Sequence, residues 1–123
     1  MPKAFFLTLP ALLISVYLSA QNKIRIEEAS KHIGEVVTVC DKVYDGKFEK
    51  DSKTKLTFLE LGGAFPRHNL TALIKFEDRK KFINKPENYY VEKDVCITGK
   101  VIEVNGKPNL VISKGADIQI GAE

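Results

Sequence analysis

The chain is poor in the residues that perform covalent or metal chemistry. His32 and His68 are its only histidines. Neither has a Cys or a second His at ligand spacing, so the sequence offers no zinc site. Serine is sparse, no G-x-S-x-G run occurs, and no two carboxylates stand out as an acid–base couple. Glu77, Asp78 and Glu87 fall in a charged stretch that reads as solvated surface. With no convergent catalytic set in view, the expectation is a protein that is not an enzyme and needs neither metal nor cofactor. A strong charge of one sign is missing too. With Lys3 set aside as part of the N-terminal segment, 18 basic residues face 16 acidic ones, a net charge of +2. That falls short of the pI above about 9 that marks a dedicated nucleic-acid binder. No repeat of solenoid length is present.

Long apolar runs are limited to one, Ala4 to Leu18, preceded by Lys3 and interrupted by Pro10. It is too short for a comfortable membrane span, which needs about 20 apolar residues. Leu18-Ser19-Ala20 ends in the small residue that a signal peptidase requires, so residues 1–20 read as a signal peptide and Gln21 as the new N-terminus. An uncleaved anchor is the other reading. No Cys follows the cleavage point, which argues against a lipid-modified terminus. The remaining stretch, positions 21–123, holds 103 residues, the size of one small domain.

Cys40 and Cys96 are the only cysteines. In a chain that leaves the reducing cytoplasm they would pair by default. If Val37 and Val39 face the core, Cys40 faces away, and Cys96 does the same beside Val95 and Ile97. Neighbouring strands would bring the two sulfurs together. Two independent thiols remain the alternative.

In chain order, Ile26, Ala29 and Ile33 have helical spacing, with Gly34 as the stop. Glu35–Tyr44 is a strand with Val37, Val39 and Val43 on one face. Residues 45–55 read as a polar loop with one aromatic, Phe48. Leu56–Leu61 and Leu70–Phe76 form a hairpin around Gly62-Gly63-Ala64-Phe65-Pro66. Asp78–Asn84 suits a short helix capped by Asp78 and stopped at Pro86. Glu92–Val104 and Lys107–Ser113 are strands joined by Asn105-Gly106, the strongest short hairpin signal. Asp117–Ile120 adds a last short strand. Five main strands, with a helix between the third and fourth, predict an all-β, five-stranded OB-fold barrel. A flat meander or an immunoglobulin-like sandwich is the alternative, although a sandwich wants about seven strands.

Val36-Val-Thr-Val-Cys-Asp-Lys-Val43, followed after a variable loop by Leu56-Thr-Phe-Leu-Glu-Leu61, resembles the opening of the tRNA-anticodon-binding type of OB domain. Val95-Cys-Ile-Thr-Gly-Lys-Val101, followed by Asn105-Gly106-Lys107-Pro108, resembles that type's fourth strand and last hairpin. Residues 21–123 are similar to small exported bacterial OB-like domains of this superfamily, over about residues 35–120. Gly62-Gly63 stands where synthetase domains carry Arg-Asp, and no catalytic domain is attached, so tRNA charging is not implied.

The resemblance implies that Phe58 lies on the outer face, where a base can stack on it. Parity agrees, since Leu59 and Leu61 form the apolar set. A one-residue slip would instead bury Phe58. On the neighbouring strand Leu70, Ala72, Ile74 and Phe76 are expected inward, with Thr71, Leu73 and Lys75 outward. Lys42 and Tyr44 share the outward parity of Cys40. Phe65 and Arg67 sit at a loop tip that is either a contact site or a packed turn. The candidate ligand-binding residues are therefore Lys42, Tyr44, Phe58, Phe65, Arg67, Thr71 and Lys75. Aromatic faces accept bases of any sequence and lysines follow phosphates. The function expected is an exported, periplasmic or secreted, binding domain for single-stranded nucleic acid or a similar polyanion. The alternative is a cell-envelope adaptor that meets a protein or glycan, which Glu60 on the same face favours.

Overall fold

Seven strands form one sheet, and five of them close on themselves. The computed structural model describes residues 22–65, 67 and 69–121; the expected signal peptide at 1–20, together with Pro66 and His68, lies outside these. The strands are β1 (Lys23–Ile24), β2 (Val36–Phe48), β3 (Thr57–Leu61), β4 (Leu70–Ile74), β5 (Asp94–Val104), β6 (Lys107–Ile112) and β7 (Ile118–Ile120). β2 pairs antiparallel with β3, and β3 with β4. β4 lies parallel to β6, β6 antiparallel to β5, and β5 returns antiparallel to β2. This is the expected all-β, OB-like barrel. β1 and β7 add short outer partners to β2 and β5.

Closure depends on two long strands that each serve two neighbours. The first half of β2 pairs with β5 and the second half with β3. A bulge between Val43 and Asp45 separates the halves, with Tyr44 as the extra residue that bends the strand. In β5 the change of partner falls beside Gly99, where a Cβ would stand 2.2 Å from the carbonyl oxygen of Val111. Only a residue without a side chain lets the two backbones come so close.

Alternation fills the interior. Val39, Val43, Leu59, Leu61, Ile97 and Val101 are completely buried, as are Ala72, Ile74, Leu110 and Ile112. A 3-10 helix, Ile26–His32, adds Ile26 and Ala29 to this core. Between β4 and β5 lie two one-turn helices, α1 (Phe76–Arg79) and α2 (Pro86–Tyr89). The ring of Tyr90 follows α2 into the core.

Cys40 and Cys96 stand directly opposite each other on β2 and β5, with Cα atoms 3.9 Å apart, and are joined as a disulfide. The hairpin at Asn105-Gly106 also forms, with φ of 51° and 79° at the two turn residues. Both values are positive, as a two-residue loop matched to strand twist demands.

Four local expectations need correction. β2 runs on to Phe48 instead of ending at Tyr44. The helix expected at Asp78–Asn84 starts earlier, at Phe76, with Lys75 in the capping position. Pro86 opens α2 instead of ending a helix, because its missing N–H costs nothing in a first turn. Phe76, expected inward, is 39% exposed, since β4 ends at Ile74 and the strand parity stops with it.

Candidate functional site

The outer face of β3 and β4 is set by what the core does not take. Leu59 and Leu61 point inward, so Phe58 and Glu60 point outward, opposite Leu73 and Thr71 of β4. On the other flank, Lys47 of β2 is in register with Phe58, and Asp45 with Glu60. β6 contributes Asn109, in register with Thr71. Phe65, from the loop after β3, stands beside this surface with 66% of its area exposed. Together they enclose a groove of about 420 Å³, lined by Asp45, Lys47, Glu49, Phe58, Glu60, Phe65, Thr71 and Asn109.

The chemistry of the groove is mixed. Two aromatic rings offer stacking surfaces. Glu60 is only 9% exposed, and its Oε1 accepts the Thr71 hydroxyl at 2.7 Å, which holds the carboxylate in one orientation. Lys47 Nζ lies 3.9 Å from Glu49 Oε2. Three carboxylates, from Asp45, Glu49 and Glu60, thus share the groove with the single ammonium of Lys47. Behind it, Phe48 is clamped by the helical segment. The Arg79 guanidinium stacks 3.7 Å from the Phe48 ring centre, and the Phe76 ring lies near-parallel to Phe48 at 6.2 Å. Arg79 also pairs with Glu87 at 2.6 Å, tying α1 to α2.

Of the residues singled out from sequence, Phe58, Phe65 and Thr71 meet in this groove. Lys42 and Tyr44 do not line it. Lys42 Nζ is 3.1 Å from Glu92 and 5.4 Å from the Tyr44 ring. The hydrogen bond to Glu92, and then its charge, hold that ammonium above its ordinary pKa. Lys75 lies in a second groove beside Lys100. Arg67 is exposed, and its backbone N–H donates to Ala64 O at 2.7 Å, closing a tight turn. Asp45, Lys47 and Glu49, read from sequence as a solvated loop, are groove residues because β2 continues through Asp45 and Lys47 to Phe48 and Glu49 follows directly. Asn109 was missed altogether, since only strand register brings it next to Thr71.

Among the described residues no group of three or more His, Cys, Asp or Glu side chains could hold a metal ion. No helix among them is long and apolar enough to cross a membrane.

Fold and groove together define an OB-like barrel. No family model matches the sequence, and no curated protein matches it. Among solved structures the chain is similar to "a putative aspartyl-tRNA synthetase from Leishmania major Friedlin", with a TM-score of 0.55 and 16% identity. The likeness covers 94% of this chain but 23% of the synthetase chain, so the present chain spans about a quarter of that protein's length. At this identity the likeness speaks for the fold alone.

Proposed function

We propose that the chain is an exported binding domain that holds single-stranded nucleic acid across the outer face of β3 and β4. The observation behind this reading is the groove itself: Phe58 and the exposed Phe65 line one cavity on that face of the barrel. Stacking on such rings contributes about 1–3 kcal/mol per base and tolerates any sequence. The carboxylates are compatible with bases, because Asp and Glu accept hydrogen bonds from exocyclic amino groups such as that of cytosine. They are poor neighbours for phosphate, so the backbone would have to lie outside the groove. The likeness to a synthetase chain supports the barrel that presents this face, and the ligand class rests on the groove. The Cys40–Cys96 bond supports an oxidising compartment, in keeping with export. Binding, not catalysis, is the activity proposed.

Fluorescence anisotropy with a labelled oligonucleotide over a salt series tests the reading. Affinity should fall as salt rises, and Phe58→Ala should weaken binding about 5- to 150-fold, the equivalent of one lost stack. No response up to high micromolar protein would end it.

A second reading is favoured by the excess of carboxylates in the groove: an envelope adaptor that meets a protein or an uncharged glycan there. Salt-insensitive binding of such a partner, lost in Phe58→Ala, would support it over the first.

A further inference from the structure

Strand register aligns Lys47 of β2, Phe58 of β3, Leu73 of β4, Val111 of β6 and Lys100 of β5 in one lateral row. Their chain neighbours Leu59, Ala72, Leu110 and Val101 are fully buried, so the row itself faces outward. It is apolar in the middle and basic at both ends. Strands lie about 4.8 Å apart, so its four steps cover about 19 Å of the barrel wall. One end passes through the aromatic groove. The other opens into a second cavity of about 430 Å³, whose polar lining comes from Lys75, Lys100, Thr98, Ser113 and Asp117.

The two grooves differ in charge. The aromatic groove carries three carboxylates and one lysine, the second groove two lysines and one carboxylate. That carboxylate is already engaged: Asp117 Oδ2 accepts the backbone N–H groups of Ser113 and Lys114 at 3.1 and 3.3 Å. Among the described residues neither Lys75 nor Lys100 forms an ion pair. Stacking surface thus lies at one end of the row and uncompensated positive charge at the other. A single strand of nucleic acid has both complements, planar bases and a phosphate at every step.

We propose that the Lys75–Lys100 groove is the phosphate-binding part of the same ligand track. A strand stacked on Phe58 and Phe65 runs across β3, β4, β6 and β5, and its backbone phosphates end against Lys75 and Lys100. The inference rests on the nucleic-acid reading above, and it places the phosphates at the opposite end of the outward row from the acidic groove.

The test compares labelled oligothymidylates of about 4 and about 12 nucleotides, within the range of OB-fold site sizes, on the purified protein. The perturbation is the double variant Lys75→Gln/Lys100→Gln. Lys75 makes no side-chain capping bond to α1, so the exchange removes charge without removing a cap. The wild type should bind the longer strand more tightly than the shorter. The double variant should lose that gain, and its salt slope should fall by about 1.4, the effect of two single-strand phosphate contacts. Binding of the short strand should not change. If the double variant keeps both the length gain and the slope while Phe58→Ala weakens binding, the second groove is not a phosphate site and the groove reading stands. If the wild type binds neither strand, both fall. Capture of a heparin oligosaccharide through Lys75 and Lys100, with no oligonucleotide bound, would assign the groove to a glycan and overturn the proposal.

Discussion

Replacing Gly99 by alanine puts a methyl group where β5 passes from one partner to the next. Its carbon would stand 2.2 Å from the Val111 oxygen, 3.1 Å from the Val111 carbonyl carbon and 3.5 Å from Leu110 Cγ. The first two are backbone atoms of β6 and cannot rotate away as a flexible side chain would. Overpacking of a tight site costs about 1–3 kcal/mol, and an unyielding backbone puts this site at the upper end. For a domain of this size each kcal/mol lowers Tm by about 4–8 °C, so Gly99→Ala should melt about 12–24 °C below wild type. Gly106→Ala is the control, because its methyl group would meet nothing within 4 Å. Its cost is only the positive φ of 79°, worth about 1 kcal/mol. Thermal melts followed by circular dichroism decide the matter. If Gly99→Ala melts at or above Gly106→Ala, β5 does not approach β6 as described, and closure of the barrel at that seam is wrong.

The disulfide spans a sequence separation of 56 residues, for which the chain-entropy relation gives about 4 kcal/mol. Reduction, or replacement of both cysteines by serine, should move the urea midpoint down accordingly, and intact protein should titrate no free thiol. Arg79→Ala removes the stack on Phe48 and strands the mostly buried Glu87 carboxylate. It should destabilise by about 3 kcal/mol. Lys42→Ala, which breaks the exposed pair with Glu92, should leave the thermal melt indistinguishable from wild type, because water and salt screen such a pair. Burial raises the Tyr90 phenol above its ordinary pKa of 10.0, so the folded state holds that proton more tightly than the unfolded chain does. The resulting stability is complete below pH 10.0 and is lost as pH rises through the folded value. Denaturant titrations at alkaline pH should therefore show a shallower decline for Tyr90→Phe than for wild type.

Much of the barrel was legible because its signals are local. Val37, Val39 and Val43, then Leu59 and Leu61, then Leu70, Ala72 and Ile74, alternate on their own strands, and Asn105-Gly106 needs no distant context. The end of β2 was illegible for a physical reason. The bulge at Tyr44 shifts the alternation, and the inward positions after it are Gly46 and Phe48, so no valine marks the strand as continuing. Phe76 misled because it keeps the spacing of Ile74 although the strand has ended. The groove was only half readable. Phe58 and Thr71 follow from parity on single strands, whereas the meeting of Thr71 with Asn109, and of Leu73 with Val111, is fixed by the parallel register of β4 and β6. No local pattern encodes the register between two strands far apart in the chain, and Lys100 was overlooked for the same reason.

The Cys40–Cys96 bond has one more consequence, for a molecule exposed to proteases. It closes a covalent ring that contains the lysine-rich turn at residues 49–56, strands β3 and β4, and the helices α1 and α2. A single cut anywhere inside that ring leaves the two pieces tethered. Nicked molecules would therefore still travel as one body and would separate only when a reductant reaches the sulfurs.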